Sequence, residues 1–159
     1  LLPLLQDFYR EKLAMLLRHQ SGARLVSQYA VNNTYQYIIN REDTQLSWIA
    51  TAIVELGGTP VDSVEPASIA AAAKGADASR PVFEGDARDS QEFVDRWTPR
   101  VQAMPNARHA KMLKLILGEV LEQKRFFEQA LAGRTDLLGR RGEQLGPAHG
   151  EVLASRWIE

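Results

Sequence analysis

The sequence predicts an all-α protein: a bundle of four helices with one long connection between the second helix and the third. Apolar residues recur at intervals of three and four in four segments, which is the spacing of one helix face. Residues 57–85 are instead rich in small residues, proline and glycine, and they are predicted to be a connection. No segment shows a competing strand pattern. The predicted order is therefore helix, short turn, helix, long connection, helix, short turn, helix.

The composition limits the classes of function. At 159 residues the chain is long enough for one domain with a buried core. A formal net charge of -1 gives no electrostatic reason to expect nucleic acid or an anionic membrane as partner. The absence of cysteine excludes disulfides, thiolate catalysis and cysteine-ligated metals. No apolar run approaches the roughly 20 residues of a membrane-spanning helix, so no membrane span is predicted.

The cellular compartment is only weakly constrained by the sequence. A protein without cysteine suits the cytosol and the periplasm alike. Because the chain begins with Leu1 rather than Met, a targeting segment could have been removed, and export therefore stays open. We take a cytoplasmic location as the default expectation.

The first pair of helices is predicted at about residues 3–20 and 23–57. Pro3 fits the first turn of the first helix, and Ser21-Gly22 is a reasonable end for it. No proline or glycine interrupts the second segment, so we predict one long helix there. Gly57-Gly58 marks its end.

The second pair of helices is predicted at about residues 89–104 and 107–132. Asp89 or Ser90 is a candidate N-terminal cap for the third helix. Pro99 lies inside that helix and should bend it or divide it.

The bundle is predicted to occupy residues 1–133, and residues 134–159 a C-terminal tail with short helical segments. The small apolar clusters of the tail cannot form a core of their own. They must therefore dock on the bundle, on a second subunit or on another protein. Four apolar residues form the patch best suited to that contact: Val152, Leu153, Trp157 and Ile158.

The second predicted helix carries a motif that is typical of a known family. It ends Leu56-Gly-Gly-Thr-Pro60, and the stretch Glu42-Asp-Thr-Gln45 precedes that end. This segment resembles the second helix of ferritin-like proteins such as bacterioferritins and rubrerythrins, which often ends Leu-Gly-Gly-x-Pro after a Glu-x-x-His metal motif. The resemblance implies a ferritin-like four-helix bundle with one long crossover. It also implies that Gln45 stands where the family has a histidine ligand.

The fourth predicted helix allows the same comparison. The family's last helix has a second Glu-x-x-His followed by a bulky apolar pair, which Phe126-Phe127 resembles. This alignment places Val120-Leu-Glu-Gln123 over the motif and keeps Val120 and Gln123 on the apolar face. A second register, Glu119-x-x-Glu122, would place one acid at the edge of that face and the other in solvent. In the preferred register, both family histidines are glutamines in this chain.

The inward polar residues do not suit a di-iron centre. Such a centre needs a Glu from each of two helices and a Glu-x-x-His from each of the other two. One inward carboxylate and two neutral amides cannot balance two iron ions, so no metal ligand is predicted.

A network of side chains could replace the metal centre. Arg41 beside Glu42 offers an internal cation, and Lys12 could join from the first helix. Gln45 and Gln123 can supply amide hydrogen bonds. The hypothesis is that these salt bridges and amides fix the helix register. The alternative is that Arg41 and Lys12 extend to solvent while only the glutamines are buried.

The remaining residues indicate no further chemistry. His19, His109 and His149 are scattered without metal-like spacing, so each is expected to be structural or exposed. No phosphate-binding glycine loop and no nucleophile elbow occurs in the sequence.

Hypotheses of three classes follow for the function. The first is a non-enzymatic structural or interaction subunit without cofactor, which forms a homo-oligomer or joins a protein complex. The second, implied by the resemblance if our register is wrong, is a di-iron or other metal-dependent oxidase or an iron-handling ferritin-like protein. The third is a small-molecule binder that uses the polar pocket.

Overall fold

The protein is described by a computed structural model that covers residues 1–65, 78–134 and 137–138. These residues form four α-helices and no strand: α1 (Leu2–Ala23), α2 (Tyr29–Glu55), α3 (Arg80–Gln102) and α4 (Ala107–Leu131). The all-α prediction is confirmed for this part of the chain. None of the four helices is both long and apolar enough to cross a membrane.

The boundary between α1 and α2 differs from the prediction. α1 continues through Gly22 to Ala23, and residues 24–28 form a connection that we had included in the second helix. Gly22 packs closely against α3, since a Cβ at this position would lie 2.8 Å from Val82 Cγ1. The glycine therefore permits a close helix–helix contact rather than ending the helix.

A polar side chain of α2 stabilises this connection. The Asn32 side-chain amide donates to the backbone oxygen of Ala23 at 2.7 Å and to that of Val26 at 3.3 Å. Both acceptors lie at or just beyond the end of α1, where carbonyl groups lack a partner in the helix. The connection has no proline or glycine, which is why the sequence pattern did not reveal it.

α2 ends close to Gly57-Gly58, where the sequence predicted its end. Gly57 has a φ of 77°, the left-handed conformation that glycine adopts readily. The backbone N–H of Gly58 donates to the oxygen of Ile53 at 2.9 Å, and that of Gly57 donates to Val54 at 2.9 Å. These bonds satisfy carbonyl groups of the last turn and close the helix.

The start of α3 was predicted nine residues too late. The helix begins at Arg80, and Pro81 occupies one of its first two positions, where the missing N–H costs no hydrogen bond. Asp89 and Ser90 therefore lie within the helix rather than at its cap. Pro99 does not divide the helix, which continues to Gln102.

Contacts between the helices establish their directions. Phe8 packs against Phe93 and Trp97 with ring centroids 5.1 and 4.8 Å apart, whereas Arg18 pairs with Asp86. The start of α1 therefore contacts the later part of α3, and the end of α1 contacts its beginning, so the two helices are antiparallel.

α2 is antiparallel to α1 as well. The Gln6 amide, near the start of α1, reaches the backbone oxygen of Thr59, whereas His19, near its end, packs against Tyr35. α2 and α3 consequently run in the same direction.

The apolar interior is divided into two clusters. The first contains Leu5, Phe8, Ile49, Trp97, Leu113 and Ile116, among others. The second contains Leu16, Tyr35, Ile38, Val82, Phe127 and Leu137, among others. Each helix contributes to both clusters. In each helix, a buried polar residue lies near the change from residues of one cluster to residues of the other. These polar residues form the candidate site.

The C-terminal tail lies almost entirely outside the described residues. Leu137 is buried and belongs to the second apolar cluster, and its neighbour Leu138 is exposed. The predicted contact residues of the tail, Val152, Leu153, Trp157 and Ile158, lie outside the described part of the chain.

Candidate functional site

A polar layer crosses the interior between the two apolar clusters. Every helix contributes to it with side chains that are at most 3% exposed: Lys12 from α1, Glu42 and Gln45 from α2, Ser90 from α3, and Gln123 from α4. Glu42, Gln45 and Gln123 were predicted to face inward. For Lys12 the sequence left open whether it joins the interior or extends to solvent, and Ser90 was predicted as a cap. The layer is where the resemblance to ferritin-like proteins would place metal ligands.

The Glu42 carboxylate lies at the centre of the layer and has a partner on each oxygen. The Lys12 ammonium donates to Oε1, and His19 Nδ1 lies 2.8 Å from Oε2. Lys12 and His19 are seven residues apart on α1, so both side chains lie on nearly the same helix face. We refer to these three residues as the Glu42 triad. All three are at most 1% exposed.

The charges of the triad keep Glu42 ionised. Burial alone would raise the pKa of this carboxyl, but the charges of His19 and Lys12 and their hydrogen bonds lower it to about 2. Burial likewise would lower the pKa of His19, yet the charge and hydrogen bond of Glu42 outweigh burial and raise it above its ordinary value. The charge of Asp86 also raises the pKa of His19, and the two directions agree because Glu42 and His19 each stabilise the charged form of the other.

A second buried ion pair joins α1, α2 and α3 beside the triad. Arg18 Nε donates to Asp86 Oδ1 at 2.7 Å, and the Tyr35 hydroxyl donates to Asp86 Oδ2 at 2.5 Å. Arg18 also contacts Asp89 at 2.6 Å. Burial, and then the charge of Asp86, raise the pKa of Tyr35, so the phenol stays protonated as a donor. Ser90 completes this region by donating to the backbone oxygen of Asp86 at 2.7 Å.

The sequence analysis missed this second pair. Asp86 lies between the predicted connection, residues 57–85, and the predicted start of the third helix at Asp89, so it was not placed on any helix face. A proline in the first turn of a helix would have been the available signal. An earlier start of α3 would have placed Asp86 and Asp89 on one face, at a spacing of three residues.

The position of Arg41 differs from the network hypothesis. Its guanidinium does not pair with Glu42 but with Glu119 of α4, at 2.5 Å from Oε1 and 3.2 Å from Oε2. The side chains of Arg41 and Glu119 are 29% and 19% exposed, so this pair lies at the edge of the interior. The Gln45 amide donates to Glu119 Oε2 at 2.5 Å. The internal cation at Glu42 is therefore Lys12, because Arg41 lies on the side of α2 that meets α4.

Two buried amides keep an unused acceptor. Gln45 Oε1 and Gln123 Oε1 have no hydrogen-bond partner among the described residues. The two residues lie on α2 and α4, in the positions that the preferred register assigns to histidines in the family. Val120 is also buried, whereas Glu119 lies at the edge of the interior.

The donor set of the layer does not suit a pair of iron ions. Its inward carboxylate, Glu42, already accepts from an ammonium and from an imidazole. A cation placed there would meet the positive charge of Lys12 at close range. Within residues 1–65, 78–134 and 137–138, no group of three or more His, Asp or Glu side chains is arranged to hold a metal ion. What the Glu42 triad and the neighbouring Arg18–Asp86 pair can do together is link α1, α2 and α3 in one register by ionic hydrogen bonds.

Comparisons with known proteins add no family to these observations. No family model matches the chain, and neither the curated proteins nor the solved structures include a significant match. The ferritin-like resemblance therefore stays an expectation that is drawn from the residues of the second and fourth helices.

Proposed function

We propose that this chain is a ferritin-like four-helix bundle in which a buried ion pair occupies the place of a di-iron centre. The protein then serves as a non-enzymatic structural or interaction subunit. One observation carries the proposal: the Lys12 ammonium bonds the Glu42 carboxylate in a fully buried position. The positive charge that the family obtains from metal is thus supplied by the chain itself.

The helix directions support the bundle topology in this proposal. α2 and α3 run in the same direction, so the end of α2 and the start of α3 lie at opposite ends of the bundle. α2 has 27 residues, which corresponds to about 40 Å at 1.5 Å per residue. One long crossover of this kind is the ferritin-like arrangement.

The proposed partner is a second copy of the chain or another subunit of a complex. α2 exposes several apolar side chains, of which Tyr29 is 85% exposed and Val54 is 60% exposed. Such residues are the natural starting points for a contact surface. Light scattering over a range of concentrations tests the homo-oligomer, and a strictly monomeric mass would contradict it.

A metal-loading experiment tests the central part of the proposal. The purified protein is incubated anaerobically with Fe(II), desalted and analysed for iron by mass spectrometry, with thermal unfolding measured in parallel. We expect no stoichiometric iron and no rise in Tm, because a ligand that binds only the folded state would raise Tm.

If iron is found, a matched pair of variants tests whether it is bound at Glu42. Glu42→Gln alters the carboxylate of the triad, whereas Asp7→Asn alters a half-exposed carboxylate of α1 far from the layer. Two iron ions per chain that are lost in Glu42→Gln and retained in Asp7→Asn would overturn the proposal. That outcome would favour the alternative, a di-iron oxidase or an iron-handling protein.

A further inference from the structure

A groove opens where the last turns of α2 face the first turns of α4, away from the polar layer. It encloses about 400 Å³ and is lined by both helices. Small-molecule sites in proteins typically occupy about 300–1,000 Å³. The groove is therefore large enough for a ligand of one or two rings.

One buried polar atom at this groove lacks a partner. His109 lines the groove and is 7% exposed, and its Nε2 has no hydrogen-bond partner among the described residues. Leaving a buried polar atom unpaired is unfavourable, because the atom loses its hydrogen bonds to water and gains none in return. A ligand that pairs with Nε2 would recover that cost.

The hydrogen bonds of Asn106 establish which nitrogen of the His109 ring carries the proton. Asn106 Oδ1 caps α4 by accepting from the backbone N–H of His109 at 3.0 Å, which fixes the orientation of the amide. The same oxygen lies 2.8 Å from His109 Nδ1. Because a carbonyl oxygen can only accept, Nδ1 carries a proton. In the neutral imidazole Nε2 is then a free acceptor, and its ligand must present an O–H or N–H donor.

The walls of the groove favour a flat apolar body. The Trp48 indole, the Ala52 methyl group and the Met112 thioether contribute apolar surface. Aromatic rings pack well against indole, and a thioether makes favourable contacts at ring edges. Met112 is half-buried and has three rotatable bonds. Nε2 itself has almost no solvent-exposed area, so a ligand can reach it only if neighbouring side chains shift, and the flexible Met112 side chain is the one that we expect to move.

The charges at the rim of the groove compensate each other. Arg108 and Glu55 approach to 3.7 Å across the groove, and both side chains are largely exposed. A pair of opposite charges offers no net attraction to an ion of either sign, so the rim favours a neutral ligand.

We propose that this groove binds a neutral aromatic molecule that donates an O–H or N–H hydrogen bond to His109 Nε2. The aromatic body packs between Trp48 and Met112, and the donor enters beneath Met112. This site is separate from the polar layer and does not depend on the function proposed above.

A matched pair of test ligands examines both features of the proposal. 2-Naphthol has the aromatic body and one O–H donor, whereas 2-methoxynaphthalene has the same rings and no donor. Binding is followed by chemical-shift changes of backbone amides in ¹H–¹⁵N spectra. We expect 2-naphthol to saturate the shifts of Ala52 and Met112 with a Kd below about 1 mM. We expect 2-methoxynaphthalene to bind at least about tenfold more weakly, which corresponds to one lost hydrogen bond.

Two pairs of measurements locate the site. Thr51→Trp fills the groove from an exposed position, and Thr44→Trp places the same side chain on α2 outside it. Each threonine hydroxyl donates to a backbone oxygen four residues earlier, so the two substitutions remove the same local bond. Thr51→Trp should abolish binding and Thr44→Trp should preserve it. His109→Phe should retain the binding of both ligands and remove the preference for 2-naphthol.

Three results would overturn the proposal. The first is the absence of saturable shifts with 2-naphthol up to its solubility limit. The second is equal affinity of the two naphthalenes for the unmodified protein. The third is binding that survives Thr51→Trp unchanged, which would locate the ligand elsewhere.

Discussion

Two ion-pair clusters in this protein combine similar groups in different surroundings. The Glu42 triad joins α1 to α2 and is almost completely buried. The cluster of Arg41, Glu119 and Gln45 joins α2 to α4 at the edge of the interior, with both charged side chains partly exposed. A buried charge loses its hydration and depends entirely on its partner, whereas water can replace a partner at the edge. The same chemical pairing should therefore differ greatly in the cost of breaking it.

The largest expected effect is the loss of one member of the buried pair. Lys12→Met removes the ammonium and leaves the Glu42 carboxylate buried with only His19. We expect the free energy of unfolding to fall by about 3–5 kcal/mol, measured by urea denaturation. The triple variant Lys12→Met/His19→Phe/Glu42→Leu removes every polar group of the triad and should recover most of the loss, because apolar replacements of whole buried ion pairs or triads are often neutral or stabilising.

The triple variant is the decisive part of this comparison. If it is no more stable than Lys12→Met alone, the loss comes from packing of the lysine stem rather than from an unpaired carboxylate. The charge-based account of the triad would then be wrong.

An intermediate effect is expected at the edge cluster, and its two charged partners should differ. Arg41→Ala leaves Glu119 in contact with water and with the Gln45 amide, so we expect a loss of about 0–1 kcal/mol. Glu119→Ala also removes the acceptor of the buried Gln45 amide, which adds about 1–3 kcal/mol. Thermal or urea unfolding of both variants measures the difference.

A rescue variant tests the reason for this asymmetry. Gln45→Leu in the Glu119→Ala background removes the orphaned amide and should restore part of the stability. Equal losses for Arg41→Ala and Glu119→Ala would show instead that Gln45 gains nothing from Glu119.

The smallest expected effect is the pH dependence that His19 introduces. The pKa of folded His19 is raised, so its stabilisation is fully present below its ordinary value of 6.5 and is lost as the pH rises through the folded pKa. His19→Phe keeps an aromatic ring against Phe127, which lies 5.3 Å from the imidazole. We expect this variant to show less decline of the unfolding free energy above neutral pH than the unmodified protein. Identical slopes for the two proteins would contradict a role of His19 charge.

The loss of stability at acidic pH is expected to come from Glu42 rather than from His19. The pKa of folded Glu42 is lowered to about 2, so its stabilisation is complete above the ordinary carboxyl range and is lost as the pH falls towards 2. Both contributions are therefore fully present between the ordinary pKa of a carboxyl, 4.5, and that of histidine, 6.5, in weakly acidic solution.

The helical periodicity of the sequence was sufficient to predict several features of the site. It predicted the four helices, and it predicted that Glu42, Gln45 and Gln123 face the interior. These features depend on the spacing of residues along one helix, which is fixed by the geometry of about 3.6 residues per turn. The end of α2 was similarly readable, because glycine is the common residue in the left-handed conformation that ends a helix.

The tertiary structure alone decided which charges meet. Arg41 is the sequence neighbour of Glu42, yet Lys12 reaches the carboxylate, because consecutive residues on a helix point in different directions. Likewise, Asp86 pairs with Arg18 and Tyr35, which are distant from it in sequence. The sequence thus determined which side of each helix is buried. The packing of the helices determined the partner of each buried charge, since that choice depends on distances between separate segments of the chain.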